Sequence, residues 1–366
     1  MAFHVSYTFL DRVIHRIAFL SPAVQMTAAD IEKSIFASAY RDVTISSPVF
    51  ITSLPRAGTT VLLDAVAQLP SVCTHVYRDM PFVLAPIFWA RLTGPFRQQA
   101  VSRERAHADG VLVSEDSPEA FEEVLWRALW PHKYGHDRIE LWSVDDCTAA
   151  ARAEFVEHLR KIVAVRRPDY SGNRRYASKN NANIARLPLL RHMFADARIV
   201  VPVRHPLQHA RSLLRQHLNF LALHAQEPFA RRYMEDIGHY EFGELRRPIG
   251  FPGADALIGG RSPMTLDYWL GYWIAAFEHV RNYLHVVIPI SYEALCGRPH
   301  AVFSNLLEQL GIVADDRSVD IAAASFRLPS DRPSDDQPDG ALLRRAEQLH
   351  QTLLNERSSR TPQGLT

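Results

Sequence analysis

The chain has 366 residues, 47% hydrophobic and 22% charged, which is enough to bury one large core and lies outside the range of disordered sequences. Forty-one basic residues against 40 acidic ones leave a net charge of +1; this excludes a global field for nucleic acid or an anionic membrane, so any anion site is local. The cysteines, Cys73, Cys147 and Cys296, are odd in number and never form a C-x-x-C pair, which argues against a disulfide framework or a zinc site and for a reducing, cytoplasmic setting.

The first element expected is helical. MAFHVSYTFLDRVIHRIAFL lacks the charged start of a signal peptide, and Asp11, Arg12, His15 and Arg16 interrupt its apolar residues, so it reads as an amphipathic helix. Thr27 is the expected N-cap of a second helix over AADIEKSIFASAY. No stretch reaches the roughly 20 apolar residues needed to span a bilayer, so the chain is expected to be soluble or peripheral at a membrane surface. Val49, Phe50 and Ile51, between Pro48 and Pro55, then suit a buried strand, followed by a helix from Thr59 to Leu69.

Helical segments with tryptophans follow from Phe121 to Trp130 and from Tyr268 to Phe277. Between them, Lys179 closes an expected strand, IVVPV after Arg198 is another, and LQHARSLLRQHL has helical spacing with Pro206 suited to its first turn. The stretch 245–263, with Pro248, Pro252, Pro263 and several glycines, reads as a mobile lid or a substrate-facing loop. Val286 to Ile290 is a further strand, and the helix from Ala301 to Leu310 stops at Gly311. After LPSDRPSDDQPDG comes a C-terminal helix, docked or exposed, over ALLRRAEQLHQTLLNE. Strands alternating with helices imply an α/β fold, a central parallel sheet flanked by helices. The expected organisation is a helical extension over 1–45, an α/β domain over 46–328, and a linker with a C-terminal helix over 329–366.

The turn Ser53-Leu54-Pro55-Arg56-Ala57-Gly58-Thr59-Thr60 joins the first strand to its helix, where unpaired amides and the helix dipole favour an anion. Gly58 lets the backbone approach a phosphate, Thr59 and Thr60 add hydroxyls, and Arg56 supplies a fixed charge with a forked donor geometry. It departs from the triphosphate loop G-x-x-x-x-G-K-S/T, since Ser53 holds the first glycine position and Thr59 the lysine position. The bland alternative is an ordinary helix-start turn.

ITSLPRAGTTVLLDAVAQLPSV resembles the 5'-phosphosulfate loop of the sulfotransferase superfamily, in its branch with a P-R-S/A-G-T-S/T turn. The resemblance implies a P-loop-type three-layer fold and transfer of a sulfuryl group from 3'-phosphoadenosine 5'-phosphosulfate to an acceptor hydroxyl or amine, without a metal. It assigns Arg56, Ala57, Gly58, Thr59 and Thr60 to the 5'-phosphosulfate, with Arg56 also stabilising charge on the leaving phosphate. The family's second signature, an arginine at a strand end and a serine on the next helix for the 3'-phosphate, matches Arg204 and Ser212. KNNANIARLPLLRHMFADARIVVPVRHP is similar to the family's approach to that strand, so the resemblance covers residues from about 48 to 312. For Arg204 alone a surface ion pair is an equal reading; the pair of motifs in family order decides.

A base is expected for the acceptor proton. The branch commonly places a carboxylate after the first helix, and Asp79, in HVYRDMPF, is the carboxylate of that stretch, with Arg78 beside it to keep it ionised. Its register differs from the family's, and a structural pairing with Arg78 or a helix cap is the competing reading. His75 is the reserve, then Glu115 or Asp116. Lys179, in SKNN, matches the family's lysine-asparagine element, and Arg327 is considered for completing the 3'-phosphate site. His205 and His209 have i, i+4 spacing but no third ligand, so no metal is assigned. A catalytically inactive nucleotide-binding or scaffold protein on this fold, and a P-loop kinase, are the other classes weighed. Aromatic residues from Tyr268 to Trp273 and the amphipathic N-terminus suit a saccharide or lipid-linked acceptor, although core packing explains them equally.

Overall fold

The structure, a computed structural model, describes residues 9–94, 103–104, 112–113, 117–166, 172–328 and 337–358. Its strands are β1 (Val49–Ile51), β2 (Val72–Cys73), β3 (Arg103–Glu104), β4 (Leu112–Val113), β5 (Arg175–Lys179), β6 (Arg198–Val203) and β7 (Val287–Ser291). Five of them form one parallel sheet in the order β2-β5-β1-β6-β7, while β3 and β4 pair antiparallel on their own.

The period-two alternation of strand side chains feeds a core on each face of this sheet. Val49 and Ile51 of β1, with Ala177, Val200 and Ile290, face the helices Thr59–Ala67 and Pro299–Leu310 through Leu62, Leu63, Val66, Phe303 and Leu306. Phe50, Tyr176, Ile199 and Val201 point the other way, into the larger core with Phe155, Phe194 and Phe277. The register sets Ile51 beside both Lys179 and Val200, so β5 and β1 end abreast while β6 runs on to Val203.

Most expected elements are present with shifted ends. The helix after β6 runs Pro206–Gln226, far beyond the stretch whose spacing announced it, because Phe220, Leu223 and His224 continue its buried face. The helix Pro299–Leu310 ends at Gly311 with φ +65°, the left-handed stop that glycine permits. Thr27 is not an N-cap: the helix runs Pro22–Phe36 from Ser21, with Pro22 at its start, a position where proline's missing N–H costs nothing. The helix Phe9–Ala18 carries Phe9, Leu10 and Ile17 exposed, while residues 1–8 lie outside the described ones. The C-terminal helix Gly340–Ser358 is docked through Ala346, Leu349 and Leu353; residues 329–336 of the expected linker are also outside the description. Among the described residues no helix is long and apolar enough to cross a membrane.

The stretch 245–263 is tied down at its start. Ile139 N–H donates to the Pro248 carbonyl at 2.9 Å, Gly250 N–H to the Ile139 carbonyl at 2.9 Å, and Ile249 N–H to the Tyr272 hydroxyl at 2.9 Å.

Beneath that stretch lies a buried ionic cluster. Arg186, with no exposure, forks onto both oxygens of Glu123 at 2.7 and 2.8 Å and lies 4.3 Å from the ring centres of both Trp126 and Trp142. Glu123 also accepts from Asn180 Nδ2 at 2.6 Å and from the Tyr134 hydroxyl at 2.5 Å. Two desolvated charges are tolerated here because the fork and these further donors satisfy the carboxylate completely. Removing one partner strands the other, so Arg186→Met is expected to lower unfolding free energy by about 3–5 kcal/mol. Urea denaturation of the variant checks this, and a loss below about 1 kcal/mol, the range of a surface pair, refutes the assignment of a buried clamp.

Candidate active site

The turn after β1 is fixed from below and from both sides. Ser53 Oγ donates to the Pro202 carbonyl at 2.7 Å, and Thr52 Oγ1 to the Asn181 carbonyl at 3.2 Å, which ties the turn to β6 and to the segment after β5. His209 Nε2 donates to the Pro55 carbonyl at 2.8 Å while its Nδ1 accepts from Trp273 Nε1 at 3.1 Å, so the ring is neutral with both nitrogens occupied. Burial, helped by Arg204 and Arg56, pushes its pKa down to about 3. Its role is to brace the turn.

Two backbone features shape the turn. Arg56 holds φ +73°, an uncommon conformation for a side-chain-bearing residue. Gly58 holds φ +88° as the cap of the helix Thr59–Ala67, and a Cβ there would lie 2.6 Å from the Tyr292 ring. That helix has no acidic residue in its first turn to oppose an anion.

The second expected pair converges on the first. Ser212, on the helix after β6, accepts from Arg56 Nε at 3.4 Å, and Arg204 Nη1 donates to the Arg56 carbonyl at 3.1 Å. Arg204 is buried, its guanidinium 5.2 Å from the centre of the Tyr292 ring, and its Nε has no hydrogen-bond partner. Burial lowers its pKa, with Tyr292 and Glu293 opposing. A guanidinium held this way suits an oxyanion that accepts from its edge. Arg327 enters through its backbone, whose carbonyl accepts from the Tyr292 hydroxyl at 3.4 Å.

Next to the turn is an open cavity, lined among others by Leu54, Pro55, Lys179, Asn181, His239, Glu241 and Trp269. Asn181 links the two places: its Oδ1 accepts from Thr59 Oγ1 at 3.2 Å and its Nδ2 donates to Glu241 Oε1 at 3.1 Å. Glu241 Oε2 lies 2.6 Å from His239 Nδ1, off the line of an ideal hydrogen bond. Burial works against the ionised carboxylate, but His239, Lys179 and Asn181 outweigh it and hold Glu241 down at about 2.

Asp79, expected as the base, occupies a different environment. It is 2% exposed, its Oδ1 pairs with Arg166 Nη2, and its Oδ2 accepts from Val76 N–H at 3.0 Å and meets His75 Nδ1 at 3.1 Å. His75 in turn shares a 2.9 Å contact between its Nε2 and that of His158. Neither Asp79 nor His75 lines the cavity. With Arg166 reaching across from the helix Ala149–Arg166, Asp79 joins the turn after β2 to that helix, and Arg166 holds its carboxyl far below the usual range against the opposing effect of burial. Glu115 and Asp116 lie outside the described residues. The sequence reading missed His239, Glu241, Arg246 and Arg247. They precede or open the proline-rich stretch, and nothing in HYEFGELRR has a family spacing.

Among the described residues no group of three or more histidine, cysteine, aspartate or glutamate side chains is gathered to hold a metal. The model of the sulfotransferase family matches residues 48–247, 200 of the 366. The sulfotransferase STF9 from Mycobacterium avium superimposes with a TM-score of 0.50 at 13% identity, over 99% of this chain and 88% of its own. The sulfotransferase STF1 from Mycobacterium tuberculosis gives 0.49 at 13% identity, over 87% of this chain and 81% of its own. Among curated proteins no sequence match was found. The family match spans the glycine turn after β1, the strand-end arginine with its serine, and most of the cavity wall: this chain belongs to the sulfotransferase family.

Proposed function

We propose that the protein is a sulfotransferase that uses 3'-phosphoadenosine 5'-phosphosulfate as donor and a hydroxyl compound as acceptor, with residues 46–328 as the catalytic unit. The observation that carries this reading is the convergence of the glycine turn, Arg56, Arg204 and Ser212 beside a cavity reached through Asn181. The orphaned Nε of Arg204 and the start of the helix at Thr59, with no acidic residue in its first turn, fit a ligand with two separate anionic ends.

The donor supplies a sulfuryl group already activated on a phosphate leaving group. The amides opening the helix at Thr59 and Thr60, with Ala57, Gly58 and Arg56, hold its 5' end, and Arg56 stabilises the charge left on that phosphate. Arg204 and Ser212 hold the 3'-phosphate. Lys179, at the end of β5 and on the cavity wall, stands between the turn and Glu241 and orients the group in transit. In place of Asp79, His239 takes the acceptor proton at Nε2 while Glu241 faces Nδ1 and stabilises the imidazolium that forms. Both belong to the cavity wall, which Asp79 does not. An inactive nucleotide-binding relative would bind the donor without this step, and turnover separates the two.

The first expected outcome is that 3',5'-adenosine bisphosphate raises the melting temperature without any divalent metal, since a ligand of the native state stabilises by mass action. Arg204→Ala should weaken it by about 1.5–3 kcal/mol, a charge-assisted contact, while leaving 5'-adenosine monophosphate unaffected. Calorimetric titration of both nucleotides checks this; equal losses for the two would detach Arg204 from the 3'-phosphate.

The second concerns the base. His239→Asn should lose roughly 10²–10⁴ in turnover of labelled donor with donor affinity retained. Asp79→Asn should instead lower the melting temperature and keep the turnover of its folded fraction. The reverse pattern would return the base to Asp79.

A further inference from the structure

Among the cations of the cavity wall, two stand apart. Lys179 belongs with the donor turn and Glu241, but Arg246 and Arg247 come from the tethered segment after the proposed base. Arg246 lies 4.6 Å from the ring centre of Tyr268 and 5.6 Å from that of Trp269; Arg247 lies 4.4 Å from the ring centre of Tyr240. Among the described residues neither guanidinium has a carboxylate within ion-pair distance. Nη2 of Arg246 is buried with no hydrogen-bond partner. The acids on the same wall are committed elsewhere: Glu123 to Arg186, and Glu241 to His239 and Asn181.

A half-buried guanidinium gives up hydration and gains from aromatic faces only part of it back. A fork-shaped donor then remains whose natural complement is a planar or tetrahedral oxyanion bound through two oxygens. Loss of hydration also lowers the Arg246 pKa, in keeping with charge left uncompensated by the protein. Arg56 and Arg204 already serve the two anionic ends of the donor, so a further anion on this wall belongs to the other substrate.

We propose, resting on the sulfotransferase reading above, that the acceptor is itself an anion: a hydroxyl compound bearing a carboxylate, sulfate or phosphate group that Arg246, supported by Arg247, receives. The proposal selects charged acceptors over their neutral counterparts. Trp269 and Tyr272, on the same wall, provide apolar surface for the body between hydroxyl and anion.

The test uses the full chain saturated with 3',5'-adenosine bisphosphate, so that the donor's anion sites are filled. Matched probes are added: 4-hydroxybenzoate against 4-hydroxybenzyl alcohol, glucuronate against glucose, and inorganic sulfate and phosphate alone. The acids, as a class, should raise the melting temperature and their neutral partners should not; Arg246→Gln should weaken acid binding at least about tenfold. Sulfate or phosphate binding without the hydroxy acids would assign the site to the inorganic ion and overturn the proposal. So would equal binding of acids and neutral partners, or an unchanged shift in the double variant R246Q/R247Q. The ligand-free Arg246→Gln protein should melt close to the parent, because the guanidinium gives up only its contacts with the Tyr268 and Trp269 rings and no ion pair; a marked drop would make Arg246 a structural residue. Failure of the nucleotide itself to bind would sink the donor reading instead, and the acid titrations without nucleotide still decide the role of Arg246.

Discussion

The parallel register of β5, β1 and β6 is the constraint on which the rest of the molecule depends. Because Ile51 lies beside Lys179 on one side and Val200 on the other, the three strands deliver their following segments to one edge of the sheet. The chain leaves β1 toward β2 at one end of the sheet and later returns through β6 toward β7 at the other. Segments that diverge in this way leave a crevice beyond the carboxyl ends of the strands. Here the glycine turn, Lys179 with Asn181, and Arg204 all enter it. Ser53 and Thr52 then stitch the turn to both neighbours, so the crevice wall does not rely on the turn's own stiffness.

Charge is partitioned with equal clarity. Arg186 with Glu123, and Arg166 with Asp79, are closed ion pairs, each carboxylate met by a guanidinium and by further donors of the protein. Arg204 and Arg246 are open, each with a buried nitrogen lacking a partner. The closed pairs hold distant segments together: Asn180 and Tyr134 meet on Glu123, and the turn after β2 meets a long helix on Asp79. Under the proposed reading the open ones sit where a ligand would supply the missing acceptor, the use for which burying an arginine is worth its desolvation.

The sheet and the glycine turn after β1 were legible in the sequence because both depend on local pattern. Compact β-branched runs mark β1, β6 and β7, and the residue types of the turn follow from what an oxyanion needs at a helix start. β2 escaped notice because two residues carry no periodicity. Thr27 misled because a threonine before an apolar run looks like a cap, whereas Pro22 had already begun the helix. Asp79 was chosen for its distance along the chain, but its partners, Arg166 and His75, arrive through tertiary packing that no spacing reports. For the same reason His239 and Glu241 could not be read: their place on the cavity is made by Asn181 and the tethered stretch, both remote in sequence.

The side chain of Asn181 has a consequence of its own. An amide has one accepting and one donating end, and here the first is spent on Thr59 in the turn after β1 and the second on Glu241 in the cavity. The ionised carboxylate, which only accepts, fixes which way the amide faces, and the rotatable Thr59 hydroxyl donates to the oxygen left facing it. Turning the amide over would set its oxygen against the carboxylate. The two ends of the site therefore share one hydrogen-bond polarity. Any free energy by which occupancy of the turn favours that polarity is returned in equal measure when the cavity is filled first, since linkage between two binding events is reciprocal.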